Sequence, residues 1–226
     1  MRIAEVFRSI QGEGEYAGTQ SVFVRTTGCN LRCWFCDTPY TSFHAEGPVR
    51  DWRDVLREVL DWDCTHVVLT GGEPLLQPEI VPLAAALRAE HRVITIETAG
   101  TVYRPAPVDL MSISPKMTNS TPNDDPRWGP RHDRDRHRPE VIRRLMSESP
   151  YQLKFVVDQP SDLDEILKYL EQFPEVTQDR VWLMPQGISR EDLAEKAVWL
   201  APAAERFGFR FCPRRHIELF GSVRGT

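Results

Sequence analysis

The stretch Cys29-Asn30-Leu31-Arg32-Cys33-Trp34-Phe35-Cys36 places three of the chain's five cysteines within eight residues, spaced C-x3-C-x2-C. Three thiolates this close can converge on one soft metal centre. A disulfide would use two and leave the third over. A structural zinc ion asks for four ligands, and a [4Fe–4S] cluster ordinarily takes four thiolates. A loop offering only three suits a cluster whose last iron stays open to a ligand that is not protein. Two other readings stand beside it: zinc with His44 as a distant fourth ligand, and three buried structural thiols. Cys64 and Cys212 lie alone in apolar surroundings and read as small core residues.

Other polar groups recur at the ends of apolar runs. Ile10-Gln11-Gly12-Glu13-Gly14 is a glycine-rich loop in which backbone can approach a ligand and Gln11 and Glu13 can hydrogen-bond it. Arg25 closes the run that feeds the cysteine loop, where its planar fork can pair with a substrate carboxylate or form a surface salt bridge. Gly71-Gly72-Glu73-Pro74 follows a buried strand, and Glu73 can accept from an amine. Further along, Ser114-Pro115-Lys116 offers a cation to an anionic group, and Gln186 a side chain able to read an adenine or ribose edge. Each of these stretches alone can be no more than a turn.

The elements that must hold them alternate strand, polar loop, helix. Strands are predicted at 2–8, 20–27, 66–70, 92–97, 108–114, 151–157, 180–184 and 209–212. Helices are predicted at 51–62, 78–91, 161–173 and 190–207, with Asp51, Ser161 and Ser189 as N-caps. Within 20–27, Val22, Val24 and Thr26 share one face, Phe23 and Arg25 the other. That rhythm means a parallel sheet with its site at the carboxyl ends of the strands. The regular units are too few for a closed eight-fold barrel. The expected fold is therefore an α/β open, partial barrel, in one domain spanning 1–226. Residues 118–138, rich in Pro, Asp, Arg and His, read as a long irregular loop or lid, and His132 and His137 as poor metal candidates.

With 226 residues the chain can bury a sizeable core. A net charge of −5 gives no general case for binding nucleic acid or an anionic membrane. No apolar run approaches a membrane span, and Met1-Arg2-Ile3-Ala4-Glu5 lacks a signal-peptide core. A reducing, cytoplasmic setting is the expectation.

Together the motifs resemble the 7-carboxy-7-deazaguanine synthase family of radical S-adenosylmethionine (SAM) enzymes, of the queuosine pathway. The cysteine loop and Gly71 to Pro74 are similar to the whole superfamily. Ile10 to Gly14, Phe23 to Asn30, Cys36-Asp37-Thr38 and Ile113 to Lys116 narrow the likeness to this family. Glu97 to Gly100 and the C-terminal Leu219-Phe220-Gly221 agree in order. Gly221-Ser222 departs from the commoner Gly-Asn, which leaves the reach of Thr226 open.

The resemblance implies a radical SAM-type open barrel with reduced helical content and a carbon–nitrogen lyase. The reduced cluster cleaves SAM to a 5′-deoxyadenosyl radical, which takes hydrogen from C6 of 6-carboxy-5,6,7,8-tetrahydropterin. Ring contraction and loss of ammonia give 7-carboxy-7-deazaguanine, with Mg2+ assisting. It further implies that Cys29, Cys33 and Cys36 hold the cluster and that Thr38 ligates Mg2+. Phe35, Asp37, Gly72, Glu73, Ser114, Pro115, Lys116 and Gln186 fall at SAM contacts. Ile10, Gln11, Gly12, Glu13, Arg25, Thr70 and Thr226 fall at pterin contacts. A flavodoxin- or ferredoxin-like electron donor and a homodimer are implied, with no direct contact to nucleic acid or membrane. The alternatives are a radical SAM activase that makes a glycyl radical on a partner protein, and a non-catalytic zinc- or RNA-binding module.

Overall fold

The computed structural model describes residues 1–226. Strands β1 (Ile3–Ile10), β2 (Gln20–Thr26), β3 (His66–Gly71), β4 (Val93–Thr98), β5 (Leu110–Ile113), β6 (Tyr151–Val157), β7 (Val181–Pro185) and β8 (Arg210–Phe211) form one eight-stranded sheet in sequential order. Only β1 runs antiparallel to its neighbour; every pair from β2 to β8 is parallel. The first and last strands do not meet, so the barrel is open, as expected. The helices are α1 (Pro39–Ser42), α2 (Trp52–Leu60), α3 (Ile80–Ala89), α4 (Trp128–Arg136), α5 (Pro139–Glu148), α6 (Asp162–Leu170), α7 (Arg190–Arg206) and α8 (Arg215–Phe220).

The period-two alternation of the strands separates core from site. Val22, Val24, Val67, Leu69, Ile94, Ile96, Leu153 and Phe155 pack with Val55, Leu83, Ile142, Ile166 and Leu200 of the helices. Each such buried side chain contributes about 1.5–3 kcal/mol. Phe23, Arg25, Glu97 and Lys154, on the opposite faces of the same strands, line a cavity with Met184 of β7. The expected split of β2 between Val22 and Val24 on one side and Phe23 and Arg25 on the other is what the structure shows.

Asp51 caps α2 by accepting from the Arg53 amide (2.8 Å), and Ser189 caps α7 through the Asp192 amide (3.1 Å). Ser161 makes no cap bond; Asp162 instead accepts from the Asp158 (2.8 Å) and Gln159 (3.2 Å) amides. The expected irregular loop at 118–138 is corrected: it holds a 3-10 turn at Thr118–Ser120 and helix α4. Its composition hides the helix, because α4 carries no apolar stripe. Spaced ion pairs support it instead, Arg131–Asp135 at 3.6 Å and Arg136–Asp133 at 3.0 Å, and its buried residues are Gly129 and His132.

Candidate active site

The carboxyl ends of the strands surround a cavity of about 350 Å³, within the range of small-molecule sites. β2 delivers the cysteine loop to its rim. The loop is pinned through backbone: the Gly28 amide donates to Thr41 O (2.8 Å), and the Glu73 amide to Gly28 O (2.9 Å). Glycine is obligatory where the β3 loop crosses it. A Cβ on Gly72 would meet Gly28 O at 2.3 Å; Gly71 sits at φ +131° with Thr26 O only 2.0 Å from its Cβ position.

Cys29, Cys33 and Cys36 are free thiols and all line the cavity. Burial pushes Cys29 up to about 12 and Cys33 up to about 11, so their thiolates call for a bound cation. No group of three or more His, Cys, Asp or Glu side chains is drawn together tightly enough for a lone metal ion. A cubane spreads its thiolates around several irons and does not need them at one point. His44 is exposed and away from the cavity, so the zinc reading lacks its fourth ligand. The donor set therefore fits a [4Fe–4S] cluster with one open iron. Cys64 and Cys212 are buried elsewhere, as expected, Cys64 donating to Gln20 O (3.2 Å) and Cys212 accepting from the Gly14 amide (3.1 Å).

Most of the other expected residues meet in this cavity: Phe35, Asp37, Thr38, Gly72, Ser114, Lys116 and Gln186, with Ile10, Gln11, Gly12, Glu13, Arg25, Thr70 and Thr226. Lys116 donates to Ser114 Oγ (2.7 Å), and Gln186 Oε1 accepts from Lys196 (3.0 Å). Thr38 stands at the N-cap position of α1 and makes no cap bond; its hydroxyl accepts from Thr41 Oγ1 (3.4 Å), lies 3.9 Å from Cys36 Sγ, and the residue lines the cavity. Thr226 reaches the cavity, its hydroxyl donating to Val223 O (2.8 Å). Pro115 does not line the cavity.

Two expectations change. Glu73 does not face the cavity; it is wholly buried, and its carboxylate accepts from Thr98 Oγ1 (2.8 Å), the Ala99 amide (2.9 Å) and the Leu75 amide (3.1 Å). Those donors occupy it, so it braces the β3 and β4 loops and does not present an acceptor to an amine. Arg25 does line the cavity, yet its Nε pairs with Glu5 (2.7 Å), itself held by the Tyr40 hydroxyl (2.7 Å). Only the terminal nitrogens of its fork are left for a ligand.

Sequence reasoning missed the charged floor. Glu13 is clamped between Lys154 and Arg214 Nε (3.0 Å), and Arg214 also grips Asp37 and donates to Gly187 O (2.7 Å). Burial alone would raise Glu13, but the Lys154 ammonium and Arg214 guanidinium outweigh it and hold the carboxyl well below its ordinary range. Burial alone would likewise lower Lys154; Glu13 and then Glu97 outweigh it and raise its value. Glu97 accepts from Gln11 Nε2 (3.0 Å) and Thr70 Oγ1 (2.8 Å), which ties two expected pterin contacts to one carboxylate. His216 packs so closely that a Cβ on Gly12 would meet its Nδ1 at 1.9 Å. Lys154 had a signal, a lone cation on the inward face of the apolar run Tyr151–Val157. Arg214 and His216 had none, since nothing in their spacing ties them to the early loops.

An open, mostly parallel sheet with three free thiols at the carboxyl edge of one strand and a cavity beside them defines a radical SAM enzyme. The Radical SAM superfamily model matches residues 23–148. The chain is 48% identical to the 7-carboxy-7-deazaguanine synthase of Rhodopirellula baltica, over 99% of this chain and 88% of that protein. It is 42% identical to the synthase of Halobacterium salinarum, over 99% and 92%. Its fold is similar to that of QueE from Escherichia coli, with a TM-score of 0.69 at 22% identity, covering 93% of this chain and 92% of that one. The chain belongs to the 7-carboxy-7-deazaguanine synthase family. A [4Fe–4S] cluster and SAM are the cofactors of such an enzyme. No helix is long and apolar enough to cross a membrane.

Proposed function

We propose that this chain contracts the ring of 6-carboxy-5,6,7,8-tetrahydropterin to 7-carboxy-7-deazaguanine with loss of ammonia, and that the cavity above the cysteine loop is where it does so. The observation that carries this is the meeting, in one cavity, of three free thiols, the Gln11–Glu97–Thr70 cluster and the Arg25 fork. When bound, the cluster and SAM supply the radical that removes hydrogen. The chain's own residues hold and orient.

Cys29, Cys33 and Cys36 are the cluster ligands in this reading. Phe35, Gly72, Ser114, Lys116 and Gln186 form the SAM side; Lys116, with Ser114 on its ammonium, suits the SAM carboxylate. Arg25 takes the pterin carboxylate with its terminal nitrogens while Glu5 fixes its angle. Glu97, held by Gln11 and Thr70, suits the N–H edge of the aminopyrimidinone ring. Ile10, Gly12 and Thr226 wall the pterin in. Thr38 is the protein ligand to Mg2+, a hard ion content with one hydroxyl, substrate oxygens and water. Orientation is the main service of such a site, since small misplacements of the reacting carbon slow a transfer steeply. The whole chain acts as one domain, in the cytoplasm, as a homodimer served by a flavodoxin- or ferredoxin-like donor.

The test is an anaerobic assay of the reduced, reconstituted protein with SAM, Mg2+ and the carboxypterin. Formation of 7-carboxy-7-deazaguanine with equimolar ammonia is expected. SAM cleavage without either product would reject the substrate.

A further inference from the structure

We propose that His132 is a positioning residue for the cysteine loop: a neutral imidazole from α4 that fixes the loop's backbone at Arg32 and is itself fixed by Ser120. The proposal rests on the reading of Cys33 as a cluster ligand.

The run from Cys29 to Cys36 has no helix or strand of its own. Its shape depends on what its amides find. The Arg32 amide, next to Cys33, donates to His132 Nδ1 at 3.1 Å. An imidazole nitrogen that accepts from a backbone N–H carries no proton, so the proton of the neutral ring sits on Nε2. Nε2 lies 2.9 Å from Ser120 Oγ, and the Ser120 hydroxyl donates onward to Met117 O at 2.6 Å. Every polar atom of the relay is thereby satisfied, and His132 is wholly buried. Burial and then the Arg136 guanidinium push His132 down to about 4, which keeps it neutral.

The same segment grips the loop at a second point. The Trp34 amide donates to Ser120 O (3.2 Å) and the Trp34 indole to Asn119 O (2.6 Å). The Arg32 guanidinium lies 4.1 Å from the centre of the Trp128 ring. Residues 118–136 thus act as a brace behind the ligands, and His132 is its one buried polar contact with the loop backbone between Cys29 and Cys33.

Substitution at His132 tests this. Asn places Oδ1 near the position of Nδ1 and keeps the acceptor for Arg32. Gln places its amide near Nε2 and serves Ser120 alone. Phe keeps the bulk and serves neither. Two readouts are taken: hydrogen exchange of the peptide 29–36 in cluster-free protein, and iron release to a chelator after reconstitution. His132→Phe and His132→Gln are expected to speed both by roughly tenfold, because the partly buried Arg32 amide loses its acceptor. His132→Asn is expected to restore most of the protection. If His132→Phe does not fold by far-ultraviolet circular dichroism, the Asn–Gln difference carries the test. Equal exchange and iron release in Asn, Gln and parent would overturn the brace and reduce His132 to packing. A parent protein that takes up no iron would instead overturn the cluster reading, and exchange in the cluster-free protein would still judge the brace.

Discussion

Glu13→Gln removes one negative charge from between Lys154 and Arg214 while keeping the side chain's shape. The side chains of Glu13 and Lys154 are 12% and 6% exposed, so water cannot replace what is lost. Breaking a buried pair by removing one partner costs about 3–5 kcal/mol. The lower end applies here, because the Gln amide oxygen still accepts and Glu97 still faces Lys154. About 3 kcal/mol corresponds to a fall in melting temperature of roughly 6–12 °C for a domain of this size. The assay is thermal unfolding of the cluster-free protein by circular dichroism at pH 7. Adding Lys154→Met to Glu13→Gln removes the stranded cation, while Arg214 keeps Asp37 as its partner. The double variant should therefore recover at least half of the loss. A Glu13→Gln protein that melts within about 2 °C of the parent, or a double variant that melts lower still, would refute the account of the floor as a coupled charge cluster. The pH dependence has a definite sign. The folded carboxyl lies below its ordinary 4.5, so its contribution is complete above pH 4.5 and drains away as acid approaches the depressed value. Glu13→Gln should flatten that part of the parent's acid limb.

The single changes Cys29→Ala, Cys33→Ala and Cys36→Ala should each abolish SAM cleavage and lower bound iron, whereas Cys64→Ala and Cys212→Ser should keep four irons per chain; iron and sulfide analysis after anaerobic reconstitution decides. Arg25→Ala should weaken carboxypterin binding by about 1.5–3 kcal/mol and leave SAM binding unchanged, and Arg25→Lys should recover only part, since one ammonium cannot serve both Glu5 and the substrate. Equal losses for the carboxypterin and its decarboxylated analogue would show that Arg25 does not read the carboxylate. Thr38→Ala should raise the Mg2+ needed for product formation while SAM cleavage continues, and Thr38→Ser should be mild. Superimposable Mg2+ titrations for Thr38→Ala and the parent would remove Thr38 from the metal.

The local chemistry of this protein is legible in its residues because it is carried by contiguous signals. The C-x3-C-x2-C loop, the glycines at 71 and 72 and the period-two alternation of β2 each depend on neighbours a few residues away. They sufficed for the open barrel; most of the expected cavity lining came from the family resemblance that these motifs carry. The tertiary structure alone decided which groups face one another. Glu73, which reads as an open acceptor at a strand end, is consumed by donors from the β4 loop. Arg214, 201 residues after Glu13, closes the floor of the site, and no periodicity encodes a pairing across that distance. Helix α4 escaped notice because its sequence lacks an apolar face. What makes it functional is a single buried imidazole, whose partner at Arg32 lies 100 residues earlier. Long-range pairs of polar groups leave no repeating trace in sequence, because burial by other elements, and not the groups' own neighbours, sets their partners.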